Sequence, residues 1–207
     1  MATRPRRTSK TPSGTATALQ RQLSGDGDPP RPTPLDAFEL AKRRFLAGER
    51  LDMQTLAGEL GVNRVTLYRW VGSRELLLTD VLWWLTQRSF DGYARRMHRP
   101  RAPELLATFI RDVLANPGMR RLLDEEGDLA MNLLTGRDGG YEPRFIGLVH
   151  DLLANDVTDG RLTSDVPLDD LAYTAVRITE AYVHSRVITG ENPDADRAGR
   201  VLHTLLR

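Results

Sequence analysis

The chain has 207 residues, 40% of them apolar, with 29 basic against 28 acidic side chains, a formal charge of +1 and a mean hydropathy of −0.40. That size holds one large helical domain, or a small module joined to a larger one, and no stretch nears the ~18 unbroken apolar residues of a membrane span. The absence of cysteine excludes thiol nucleophiles, disulfides, Fe–S clusters and cysteine-containing zinc sites.

The near-zero charge hides a gradient. Residues 1–32 carry six Arg or Lys against two Asp, residues 33–80 balance seven against seven, and residues 81–207 hold sixteen basic against nineteen acidic side chains. Residues 1–32 are also rich in Thr, Ser, Pro and Gly without a sustained apolar period, so they are expected to form a disordered basic arm. That arm reads either as a passive tail or as a basic arm touching DNA phosphates or a minor groove. No apolar signal-peptide core follows the basic start, so secretion is not expected and a cytoplasmic location is.

From Thr33 the punctuation becomes helical. Thr33 before Pro34 reads as an N-cap with proline at the first helical position, and Leu35, Phe38, Ala41 and Phe45 recur on one face until Gly48. Asp52 is placed to cap a second short helix, whose Met53, Leu56, Ala57 and Leu60 point inward before Gly61. Asn63 can cap a third over Arg64 to Val71, and Ser73 a long fourth helix through about Met97. Beyond Arg99, breakers divide the chain into helices expected near 103–115, 117–135 with a break at Gly127, 142–157, 168–189 and 194–206. No convincing strand emerges, and the fold class is all-α.

Leu51 to Leu78 is the most informative stretch. Two short helices separated by Gly61, Val62 and Asn63 have the helix-turn-helix layout, in which glycine permits the left-handed turn and the asparagine cap leaves the second helix's amino end free. Docked in a major groove, that helix would turn Arg64, Val65 and Thr66 to base edges and Tyr68 and Arg69 to flanking phosphates. Leu67 and Val71 fall on the opposite face, toward Phe38 and Phe45.

In Leu56-Ala57, Leu60-Gly61-Val62, Thr66-Leu67-Tyr68 and Ser73-Arg74-Glu75 followed by Leu77, the sequence resembles the TetR-type transcriptional regulators over Pro34 to Leu78. The wording ERLDMQTLAGELGV with LYRWVGSRELL further resembles the QsdR-type subgroup, regulators associated with degradation of quorum-sensing lactones. It departs from the family pattern at Val65, able to meet a thymine methyl, at Trp70-Val71, and at Arg74 in place of lysine. There Arg74 keeps a positive charge at the start of the fourth helix, where a phosphate is expected.

The resemblance implies residues 33–80 as a DNA-binding domain and residues 81–207 as a helical ligand-binding and dimerisation domain. It also implies a homodimer on double-stranded operator DNA, released by a largely apolar small molecule. Candidate chamber residues are Trp84, Phe109, Met131, Phe145, Val149, Tyr173, Arg177 and Glu180, although aromatics and methionines at helical spacing are more often core. Leu168 to Ile188 shows an apolar stripe of Leu171, Ala172, Ala175, Val176, Ile178, Tyr182, Val183 and Val187, wide enough for two neighbours. With Ala198, Val201, Leu202, Leu205 and Leu206 it is expected to form a four-helix dimer interface.

An activator, or a regulator without a ligand, fits the same residues, whereas an enzyme does not. His98, His150, His184 and His203 lack metal-site spacing, no nucleophile elbow occurs, and the Gly-rich loop at 136–140 follows no strand. No cofactor, metal or membrane contact is expected.

Overall fold

A computed structural model describes residues 31–136 and 140–207. The chain divides into two units, Met1–Pro32 and Thr33–Arg207. The arm expected over 1–32 therefore lies almost wholly outside the described residues, as do Arg137, Asp138 and Gly139 of the glycine-rich loop. The second unit is all-helical among the described residues. Its helices are α1 (Pro34–Leu46), α2 (Met53–Glu59), α3 (Arg64–Val71), α4 (Arg74–Arg96), α5 (Ala102–Ala115), α6 (Pro117–Glu125), α7 (Gly127–Thr135), α8 (Tyr141–Thr158), α9 (Leu168–Val183), α10 (Ser185–Thr189) and α11 (Ala195–Leu205). No helix is long and apolar enough to cross a membrane among the described residues.

The helix starts follow the capping residues. The Thr33 hydroxyl accepts from the Asp36 backbone N–H at 3.3 Å while the Asp36 carboxylate accepts from the Thr33 N–H at 2.7 Å, a reciprocal box that satisfies two orphan donors. Asp52 accepts from Thr55 N–H at 2.7 Å, Asn63 from Thr66 N–H at 2.8 Å and Ser73 from Leu76 N–H at 3.2 Å. Asn116 closes α5 and opens α6, accepting from Met119 N–H at 3.0 Å.

Two expectations about packing faces are corrected. In α1 the buried set is Ala37, Leu40, Ala41 and Phe45, with Phe38 half-buried, while Leu35 is 66% exposed. Both sets have helical spacing, and the contacts of α3, α4 and α6 on α1 select the second. The expected helix 168–189 is interrupted at His184, where the Ser185 hydroxyl donates to the Tyr182 carbonyl at 2.6 Å and competes with the backbone ladder. In α9, Leu171, Ala172, Ala175, Val176 and Val183 are buried within the protomer, whereas Tyr173 stands 51% exposed. Val187, in the short α10, is also exposed in the single protomer.

The helices after α4 wrap it. The side chains of Phe90, Phe109, Phe145 and Tyr141 bring α4, α5 and α8 together through ring contacts of 5.2, 5.3 and 5.9 Å between centroids. Asp156 of α8 is buried and accepts from the first α5 amide, Ala102 N–H, at 2.7 Å and from Arg161 at 2.9 Å. It satisfies an orphan donor and the macrodipole of α5 together.

Between α6 and α1 there is no room for side chains. A Cβ on Gly118 would overlap the Phe45 carbonyl oxygen and approach its ring to 2.8 Å, so the two backbones touch because position 118 is glycine. Gly118→Ala is expected to cost about 1–3 kcal/mol of overpacking and to lower the thermal unfolding midpoint by several degrees, despite alanine's better helix propensity. Calorimetry on the two proteins reads the difference.

Candidate nucleic-acid interface and effector chamber

The turn between α2 and α3 is set by Gly61 at φ +65 and by Val62 N–H donating to the Ala57 carbonyl at 3.0 Å. Leu67 is 0% exposed beneath α3, and Val71 and Trp70 are half-buried against the same core as Phe38 and Phe45. This anchors one face of α3 and leaves the other outward. Val65 is 75% exposed, Arg64, Arg69 and Tyr68 are exposed, and Thr66 is half-buried near its capped amine. The Arg64 guanidinium lies over the Tyr68 ring at 5.8 Å. Five of the six sequence candidates for DNA thus share one solvent-facing tip. Asn63→Ala should remove the cap and cost about 1 kcal/mol, measurable by urea unfolding, with greater loss of helix protection at α3 than at α5 in hydrogen exchange.

Arg74, the sixth, sits differently. Its Nε donates to the Leu51 carbonyl at 2.6 Å and its terminal nitrogens reach Glu126 at 2.9 Å, with only 18% of the side chain exposed. In the chain without DNA its guanidinium is engaged in an internal tie. Glu126, at the junction of α6 and α7, also accepts from Arg121 at 2.6 Å and has Arg50 at 3.8 Å. The two guanidiniums hydrogen-bonded to Glu126 offset its desolvation and hold its carboxyl below the usual range. This cluster joins the start of α4 and the loop before α2 to the far end of α6. Glu126→Gln leaves two half-buried guanidiniums without their counter-charge, and a loss on the order of 1–3 kcal/mol in urea unfolding is expected.

A cavity of about 140 Å³ lies behind α4. Leu82, Leu85, Thr86 and Ser89 of α4 face it from one side, with Phe109, Asp112 and Val113 of α5, Asn116 and Met119 at the start of α6, Leu134 of α7, and Tyr141 and Phe145 of α8 around it. Thr179, Glu180, Val183 and His184 close it from α9. Of the eight sequence candidates, Phe109, Phe145 and Glu180 face this space.

The other five do not. Trp84 turns to α1, edge-on to Phe38 at 6.4 Å with the Lys42 ammonium 4.0 Å above its ring. Val149 is fully buried in the core, Met131 is half-buried away from the cavity, and Tyr173 is 51% exposed under the Arg177 guanidinium at 5.1 Å. Arg177 bridges Glu142 at 2.5 Å and Glu180 at 2.9 Å from outside the wall. His184 was passed over because its spacing fits no metal site; the available signal was its place four residues after Glu180, on the face that buries Thr179 and Val183.

The polar groups of the chamber are strained electrostatically. Burial raises the Glu180 carboxyl to about 7, the Arg177 guanidinium opposing and Glu142 reinforcing the shift, while burial pushes the His184 imidazole down. A carboxyl raised from 4.5 in the unfolded chain binds its proton more tightly when folded, so it reduces stability as pH rises from 4.5 to 7. His184 has the opposite sign, destabilising the fold as pH falls below 6.5. Glu180→Gln, with Arg177, Glu142, His184 and Asp112 unchanged around it, is expected to steepen the net rise of the thermal midpoint between pH 5 and 6.5.

A helix-turn-helix with one exposed face, carried on an all-helical body with an internal chamber, defines the class of DNA-binding transcription regulators. Residues 99–207 match the family model described as "Tetracyclin repressor-like, C-terminal domain". The chain belongs to the TetR family of transcriptional regulators, whose members are not enzymes. Among solved structures, the R. erythropolis transcriptional repressor QsdR from the TetR family is similar at a TM-score of 0.73 and 28% identity, over 84% of this chain and 93% of that one. A TetR regulator from Haloarcula marismortui shares the fold at TM-score 0.53 and 16% identity, over 84% and 96%. FadR from Bacillus subtilis, determined in complex with stearoyl-CoA, does so at 0.52 and 13%, over 83% and 97%. No curated protein matches the sequence.

Proposed function

We propose that the protein is a homodimeric repressor that leaves a palindromic operator when a small molecule fills the chamber behind α4. The observation that carries this reading is the division of α3 into a fully buried Leu67 and a free tip of Arg64, Val65 and Thr66. Residues 33–80 would act as the DNA-binding domain and residues 81–207 as the effector and dimer domain. The exposed Tyr173 of α9 and Val201 and Leu205 of α11 would belong to the face that meets a second copy. Two recognition helices would then enter successive major grooves about 34 Å apart.

Arg64, Val65 and Thr66 would meet base edges, and Tyr68 and Arg69 phosphates. Arg74 would serve by holding the module to its body. The route from chamber to DNA would run through α4, whose first residue follows α3 by only Gly72 and Ser73 and whose middle turns face the cavity. An occupant that changes the tilt of α4 changes the spacing of the two tips.

Gel shifts with DNA from upstream of the gene, run across a salt series, test the reading. Binding is expected to fall steeply with salt, and Arg64→Ala combined with Tyr68→Phe to weaken it at least about tenfold at fixed salt. Unchanged duplex binding by the double variant would sink the assignment of α3.

A further inference from the structure

The α9 wall of the chamber holds hydrogen-bonding groups that the protein leaves unsatisfied. His184 is 1% exposed, and neither of its ring nitrogens has a partner. One turn earlier on the same helix, Glu180 gives one carboxylate oxygen to Arg177 at 2.9 Å and leaves the other, also buried, unpaired. Burial keeps the imidazole neutral, so it offers one N–H and one bare nitrogen. Whatever fills the chamber must therefore supply both a donor and an acceptor at this wall, because an unmet buried polar group weakens binding.

The opposite walls impose a second requirement. Leu82, Phe109 and Phe145 are apolar, and the cavity is close in size to the ~150 Å³ space that takes up benzene in a protein interior. There is room for a compact body of on the order of six to ten non-hydrogen atoms.

We propose that the chamber recognises a small, uncharged secondary amide, its N–H donating to the free oxygen of Glu180 and its carbonyl accepting from the ring N–H of His184. This rests on the effector reading of the same chamber and narrows it. A lactone or ester of the same shape supplies only the acceptor and, at about pH 8, where the Glu180 carboxyl is ionised, leaves its free oxygen unpaired. A secondary amide is neutral and holds its donor and acceptor on separate atoms of one rigid unit, so it can meet two side chains one turn apart from an apolar frame.

The matched probes are ε-caprolactam and ε-caprolactone, nearly equal in shape and differing in the ring N–H. Titration calorimetry on the full chain should show the lactam binding at least about tenfold more tightly. Glu180→Leu should bring the lactam down to the lactone's affinity without weakening the lactone. His184→Phe, which keeps an aromatic ring in place, should weaken both about tenfold and serves if the Glu180 variant does not fold. Equal affinity of the two probes overturns the amide assignment, and so does binding of neither, which would leave the wall satisfied by water alone. Gel shifts of the unliganded protein on operator DNA, run on the same samples, report DNA binding separately, so loss of the amide assignment and loss of the DNA-binding reading give different patterns.

Discussion

The junction of α3 with α4 depends on one half-buried carboxylate, Glu126. Glu126 gathers Arg74, Arg121 and Arg50, and through Arg74 it also fixes the Leu51 carbonyl at the entrance to α2. A lone half-buried charge is costly, and a surface pair contributes little, but a carboxylate shared by two forked guanidiniums with a backbone acceptor has few alternative geometries. The second tie between the modules, backbone contact of α6 with α1 at Gly118, is steric and works at the other end of the same helix. α6 is thereby held at its start by shape and at its end by charge.

The chamber has been built at the expense of polar satisfaction. Glu180, with a carboxyl raised to about 7, and an unpartnered His184 are what a folded protein ordinarily avoids, since core packing and hydrogen bonding of the same volume would be more stable. The neighbouring groups do not show the same neglect. Thr86 and Tyr141 hydroxyls pair at 2.8 Å, the Tyr93 hydroxyl donates to Asp112 at 2.7 Å, and Asp156 is fully engaged at the end of α5. Buried unpartnered atoms also occur singly at Arg44, Thr79, Arg101 and Arg161, but on this wall two side chains one turn apart carry three of them, a concentration that fits a surface shaped for something other than the protein itself.

The helix-turn-helix was legible because its information is local. Thr33, Asp52, Asn63 and Ser73 each announce a helix start through a side chain that can reach only its own third residue, and each does so in the structure. The chamber was not legible in the same way. Its walls come from six helices that contribute a few residues each, and the 76–85 stretch of α4 is apolar nearly all round, so periodicity alone could not assign Trp84 to α1 rather than to the cavity. Tyr173 and Arg177 failed for a related reason: they lie on the same helix as Glu180 but turn to solvent and to Glu142. The pairing of Arg74 with Glu126 was not legible either, because it joins a helix start to a carboxylate 52 residues away in sequence.

These constraints limit how the two ends of the molecule can influence each other. α4 is a single 23-residue helix, about 35 Å long, that carries cavity residues in its middle and Arg74 at its first position. An occupant can shift an equilibrium only by contacting two arrangements differently, and α4 and α6 are the cavity walls that also touch the DNA-binding helices. α6 cannot move closer to α1 without displacing it, because Gly118 already lies against the Phe45 backbone and Pro117 against Gly48. Widening the gap between α4 and α6 therefore either loads the Arg74–Glu126 tie or moves α1, and both changes reach the helices that place the α3 tip. Under the proposed effector reading, a rigid connection of this kind would convert a small change in cavity shape into a change of angle without requiring any element to unfold.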